Sequence, residues 1–241
     1  MAGFVKLLTD ASRIQVASQA TQVITTGASV AAGNHVMILS QRSTTGCTIT
    51  GVTSTGSGTV GSVVESSALD FITTYSVCIC SIYCPNGLSN TDTIAVAWSG
   101  GAAFDFWTAI LAEYTGLATA SWADKIAQQT TFGTSADSGS TATLSQADEL
   151  VFGGFMANSG KTIAAGSGYN LHASQLDDAG PGITLAIEDK VVAVTTAVNA
   201  TFAWDATGIS YAAFVSTYKV AAVAATSYAI PTTRVPSVMI T

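Results

Sequence analysis

The sequence predicts an all-β fold, an antiparallel β-sandwich or barrel, and three observations predict it. Short runs of β-branched and aromatic residues recur at fairly even spacing, about a dozen of them, each bounded by Gly, Ser, Asn or Asp clusters. Of 241 residues only 10% are charged and 8% aromatic, while 48% are hydrophobic, so the bulk lies in small residues. Lys and Arg together number 8, which excludes a long helical or coiled-coil protein rich in charged helix formers. High hydrophobicity also excludes a disordered chain.

Read in order, the runs fall at 4–8, 14–17, 21–25, 35–41, 47–53, 72–84, 93–98, 107–114, 141–145, 150–157, 183–186, 190–195, 200–204 and 209–219. Strands over 1–25 are short and read as the periphery of a sandwich spanning 1–219. The run 74–84 is the most informative. Ser76, Cys78, Cys80, Ile82 and Cys84 share one face, and Val77, Ile79, Ser81 and Tyr83 the other. Both faces are small or apolar, so this strand should be covered on both sides. Gly-rich stretches at 53–62, 98–101, 133–140 and 158–161 suit turns. The Ala, Gln and Lys content of 117–120 and 122–129 predicts the only helical turns. No repeat of 20–50 residues is evident.

The end of the chain is different. Residues 220–241 carry two of the four prolines, Pro231 and Pro236, and the sequence predicts an extended arm there. Tyr228, Ile230, Val235, Met239 and Ile240 make it too apolar for a solvated tail, so they are the expected subunit-interface residues.

Charge excludes other classes. The net charge is −7 and the cations are scattered, so no basic stripe exists to displace counterions from nucleic acid or to meet an anionic membrane. The N-terminal apolar run breaks at Thr9 and Asp10, too short for a signal h-region, and the expectation is a protein that either stays where it is made or leaves by a route needing no cleaved signal.

Motifs for chemistry are weak. Gly56-Ser57-Gly58-Thr59-Val60-Gly61 spells a dinucleotide fingerprint but lacks the following helix and the acid about 20 residues on. Gly160-Lys161-Thr162 resembles the end of a phosphate loop with its leading glycine one residue out of place. Cys78, Cys80 and Cys84 alternate along a strand instead of forming a zinc knuckle, and read as small buried hydrophobes. Asp177-Asp178 is the one loop pair that would suit calcium. The acids Asp105, Asp148-Glu149 and Glu188-Asp189 border turns and read as solvated. Glu113, following an apolar strand, is the one carboxylate expected in a partly buried setting. Trp98 and Trp107 read as core. Trp122 and Trp204 border loops and are the candidate glycan-stacking residues. Neither a catalytic residue, a cofactor nor a metal is predicted.

The succession of segments AAGNHVMILS, CTITGVTSTGSGTV, TTYSVCICSIYC, AILAEYTGLATASWAD, QADELVFGGF and TFAWDATGISYAAFVSTYKV resembles a jelly-roll or concanavalin-like sandwich domain of phage virion proteins and environmental bacterial chains. The resemblance spans roughly 20–218 and carries no catalytic residues; the arm lies outside it. It implies a structural or ligand-binding module. With the apolar arm and few charges, the expectation is a bacteriophage capsid decoration or cement protein, assembled in the host cytoplasm. Such a subunit would form trimers or larger homo-oligomers and bind a major capsid or other virion protein, without nucleic acid or membrane. The alternative is a carbohydrate-binding or adhesive module.

Overall fold

A computed structural model of the protein describes residues 2–9, 14–16, 20–56, 62–64, 69–71, 75–100, 105–177 and 182–222. Among the described residues all regular structure is strand. Ten strands come first: β1 (Gly3–Thr9), β2 (Ile14–Val16), β3 (Thr21–Thr25), β4 (Asn34–Arg42), β5 (Ile49–Ser54), β6 (Ser62–Val64), β7 (Leu69–Phe71), β8 (Tyr75–Cys84), β9 (Thr93–Trp98) and β10 (Asp105–Thr115). Eight follow: β11 (Ala123–Gly133), β12 (Ser135–Asp137), β13 (Glu149–Ala157), β14 (Ala164–Ala165), β15 (Asn170–Asp177), β16 (Ile183–Val192), β17 (Thr201–Ala203) and β18 (Ile209–Lys219).

These strands form four antiparallel sheets. A large sheet has the order β1-β10-β4-β8-β6, with β2 also on β10 and β7 also on β8. A second large sheet has the order β11-β18-β13-β16-β15. Two small sheets, β3-β9-β5 and β12-β17-β14, complete the set.

Three apolar cores separate these sheets. Ile24, Val52, Ile94 and Val96 of the first small sheet pack on Val36, Ile38, Cys78, Cys80 and Leu111 of the first large sheet. The other face of that large sheet, with Met37, Leu39, Val77, Ile79 and Ile110, packs on Leu150, Phe152, Leu185 and Phe214 of the second. The far face of the second large sheet, with Val151, Phe155, Ala213 and Val215, meets Ala136 and Phe202 of the second small sheet. Both large sheets are therefore covered on both sides. This is why β4, β8 and β13 read as near-continuous apolar runs where a half-exposed strand would alternate. The two faces expected for the strand at 74–84 separate as expected: the cysteines and Ile82 enter one core, Val77 and Ile79 the other.

The strand order repeats. In sequence order β1, β3, β4, β5, β6, β8, β9 and β10 occupy the same places in their two sheets as β11, β12, β13, β14, β15, β16, β17 and β18 do in theirs. Register repeats as well. Tyr114 of β10 lies opposite His35, the second residue of β4, and Tyr218 of β18 lies opposite Leu150, the second residue of β13. The contacts between the large sheets are reciprocal: β10 touches β16, and β18 touches β8. Two copies of one eight-strand plan thus pack large sheet on large sheet about an approximate two-fold, as in an isologous dimer.

Two local expectations are corrected. Residues 122–129 are not helical: β11 begins at Ala123 and pairs with β18 to Gly133. Ala, Gln and Lys favour helix by only tenths of a kcal/mol each, and sheet pairing outweighs that. Residues 141–145 form no strand. They follow the 195–198 segment through the Thr141 N–H to the Val198 carbonyl at 2.8 Å and the Leu144 N–H to the Thr195 carbonyl at 3.1 Å.

Candidate functional site

The arm residues Tyr228, Ile230, Val235, Met239 and Ile240 lie outside the described residues. The residues that lead up to 222 are described, and they gather around two carboxyl groups. Asp124, at the start of β11, accepts the Ser145 N–H at 2.8 Å and meets the ammonium groups of Lys125 at 3.1 Å and Lys219 at 3.7 Å. Glu149, the first residue of β13, is fully buried and accepts the Gln146 N–H at 3.3 Å. The two acids also act on each other electrostatically. Burial alone would raise Asp124, but hydrogen bonds from Ser145, Lys125 and Glu149 hold it well below the usual carboxylate range. Burial first, then the Asp124 charge, pushes Glu149 up, and Thr217 and Gln146 oppose that only in part. The two acids are thus shifted in opposite directions, as expected when one carboxyl is more deeply buried and the other is held by hydrogen bonds and ammonium groups.

Around this pair the main chain is tied down. The Lys219 N–H reaches the Trp122 carbonyl at 2.7 Å, the Ala221 N–H reaches Gly116 at 2.9 Å, and Gln146 Nε2 reaches Val220 at 3.3 Å. Residues 219–221 are thus held from three sides.

Three further buried carboxylates brace the fold. Glu113, which sequence reasoning singled out, accepts the Ala31 N–H and the Asn34 amide, each at 2.7 Å. Its other oxygen lies 3.3 Å from Lys6. It fastens the segment before β4 to β10 and β1. Asp189 lies in the central core, 2.9 Å from His172 Nε2, and its charge acts on the buried Tyr114 of the facing sheet. The His172 ring stacks at 3.7 Å on Phe4. Glu188 accepts the Gly166 N–H at 2.7 Å, and burial pushes its carboxyl up to about 7 against hydrogen bonds from Gly166 and Thr201 and the charge of Lys190.

The expectation that Glu149, Glu188 and Asp189 are solvated turn acids is corrected, since all are buried. Glu149 opens β13 and Glu188 and Asp189 lie within β16, strands covered on both faces, so these acids are inside the molecule. The available signal was their adjacency to the apolar runs 150–155 and 183–187. Asp124 was missed because its segment read as helix.

Trp98 and Trp107 are core, as expected, with rings 6.1 Å apart. Trp122 is corrected. It is buried against His35 and Tyr83, and its indole N–H donates to Ser81 Oγ at 2.8 Å, so its face is closed to a sugar. Trp204 is half-buried, packed on Phe155 and Tyr211, with its indole N–H donating to the Thr207 carbonyl at 2.9 Å. Lys161 of the phosphate-loop look-alike is paired with Asp205 at 2.8 Å. The four cysteines are buried and none is in a disulfide. Asp178, of the loop pair considered for calcium, lies outside the described residues.

Comparison of the chain with protein-family models, with curated proteins and with solved structures finds no match. Of the resemblance drawn from the sequence, the antiparallel sandwich-like build is what the structure bears out.

Proposed function

We propose that this chain is a virion structural protein, a bacteriophage capsid decoration or cement subunit that acts by assembly. The observation that supports the reading is the doubled eight-strand plan packed large sheet on large sheet. A scaffold with three apolar cores resists deformation, because interiors at crystal-like density transmit strain instead of absorbing it. The buried carboxylates agree with this reading. Glu113, Glu149 and Glu188 each accept a main-chain N–H and so brace loops and sheets.

In this reading the subunits form trimers or larger homo-oligomers, bind a major capsid or other virion protein, and assemble in the host cytoplasm. The arm beyond Val220 supplies the hold. Each 100 Å² of apolar arm surface buried on a neighbour contributes about 2.5 kcal/mol. Native mass measurement on the purified full chain tests the proposal. Trimers or larger species that dissociate when the chain is cut after Ala222 are expected, and a monomer at all concentrations overturns it.

The second reading is a glycan-binding module, and the half-exposed Trp204 is the observation that favours it. Saturable binding on a glycan array, lost in Trp204→Ala, would select this reading over assembly.

A further inference from the structure

Lys219, Asp124 and Glu149 meet at one end of the second eight-strand unit. Lys219 ends β18, Asp124 is the second residue of β11 and Glu149 opens β13. Lys219 lies opposite Glu149 in register, and its Nζ is 3.7 Å from Asp124 Oδ1. Consecutive main-chain groups set the two acids side by side: the Ser145 N–H donates to Asp124 Oδ2 and the Gln146 N–H to Glu149 Oε1. Glu149 Oε2 is buried with no hydrogen-bond partner. Only 4% of the Asp124 side chain is exposed. The strand plan itself does not call for this trio. Phe4 is paired with Tyr114 as Ala123 is with Tyr218, so Val5, Thr115 and Asn34 hold the equivalent places in the first unit.

We propose that the Lys219 and Asp124 side chains join in an amide cross-link that the folded protein forms unaided, with Glu149 carrying the protons. This goes beyond the assembly reading and does not depend on it. The Nζ–Cγ bond forms and the Cγ–Oδ1 bond breaks. Two protons pass from Nζ to Oδ1 by way of Glu149, one before the attack and one after it, and Oδ1 leaves as water. The ammonium and the carboxylate become one neutral amide. Glu149 ends as it began, and no oxidant or other reactant is consumed.

Each neighbour suits a part of that step. Burial pushes Glu149 up, which suits a group that must hold a proton before passing it on. The Ser145 N–H, 2.8 Å from Oδ2, stays on the oxygen where negative charge gathers during attack. Lys125 Nζ lies 3.1 Å from Oδ1, the oxygen that departs. The starting ion pair is costly because its two charges are largely withdrawn from water, whereas an amide needs no counter-charge. The product fastens the start of β11 to the end of β18 by a bond that unfolding does not break, closing a long loop of the chain.

The experiment is mass spectrometry of the full chain, folded first and denatured before measurement. The expected mass is one water below that of the sequence, and digestion should yield a branched peptide joining 219 to 124. Lys219→Arg and Glu149→Gln should each regain the water, and Lys125→Arg should not. Circular dichroism showing native strand content in Lys219→Arg separates loss of the bond from loss of the fold. A folded wild-type chain at its full sequence mass overturns the proposal. So does a water loss that survives in Lys219→Arg or maps to another pair of residues. An undiminished branched peptide in Glu149→Gln overturns the proton-carrying role of Glu149. Oligomeric state is a separate measurement, so the assembly reading stands or falls independently of these results.

Discussion

Glu188, in the middle layer of the molecule, accepts the main-chain N–H of Gly166 at 2.7 Å, next to the short outer strand β14. One fully buried carboxyl therefore ties a small sheet to a large one. There is no room for a side chain beneath it: a Cβ on Gly153 would lie 2.8 Å from both Glu188 Cγ and Ala200 Cβ.

Burial raises the Glu188 carboxyl from its ordinary 4.5 to about 7. A raised folded value means that the contribution to stability is complete below about pH 4.5 and is lost as pH rises through 7. The loss amounts to about 3 kcal/mol for a shift of this size. Urea unfolding between pH 4.5 and 8 should show this decline, and Glu188→Gln should flatten it. An unchanged slope in the variant contradicts the assignment.

His35 has the opposite sign. Its ring is buried against Trp122 and Tyr83, and burial lowers it from 6.5 to about 4, against a main-chain hydrogen bond at Ala118. Stability from the neutral ring is complete above about pH 6.5 and is lost as pH falls toward 4. NMR of the imidazole should show no titration between pH 5 and 8. A midpoint near 6.5 would mean that the ring is solvated.

The glycines of QADELVFGGF separate by face. A Cβ on Gly154 would come nearest to the methyl ends of Leu39 at 3.1 Å and Ile79 at 3.2 Å, across the central core. Gly153→Ala, set against the main-chain-anchored Cβ of Ala200, should therefore destabilise more than Gly154→Ala. Gly154→Val should overpack the central core and cost about 1–3 kcal/mol. Equilibrium denaturation ranks the three variants.

Cys84 lies in the core behind β9, and burial followed by the Glu113 charge pushes its thiol up to about 12. Reaction needs an accessible thiolate. A thiol reagent at pH 8 should find all four cysteines silent in the native chain and all four reactive in denaturant. Rapid native labelling of any one would show that a core opens.

Trp122→Phe should cost about 1 kcal/mol for the lost Ser81 hydrogen bond, and Trp122→Ala about 3–5 kcal/mol for the cavity. Thermal unfolding gives both values. An unaltered melting temperature in Trp122→Ala would mean that the ring is not core.

Much was legible locally. The strand at β8 announced two covered faces because Cys78 and Cys80 alternate with Val77 and Ile79, and alternation along a strand is a property of the backbone itself. The buried Trp98 and Trp107 were legible in the same way. The helix expected over 122–129 was wrong because propensity is a weak local term there, while pairing with β18 lies far along the chain. The doubling stayed hidden because only geometry repeats. Over the last strands Tyr114 and Tyr218, and Ala109 and Ala213, are the identical residues at matched positions.

The sequence by itself determined the all-β class, the small-residue build and the two-faced central strand, since period and composition act within one strand. Only the tertiary structure decided that the strand plan is doubled and that the turn-flanking acids are buried braces. It also placed Trp122 inside. Those features arise from pairings between residues far apart in the chain, and no local window of sequence contains both partners.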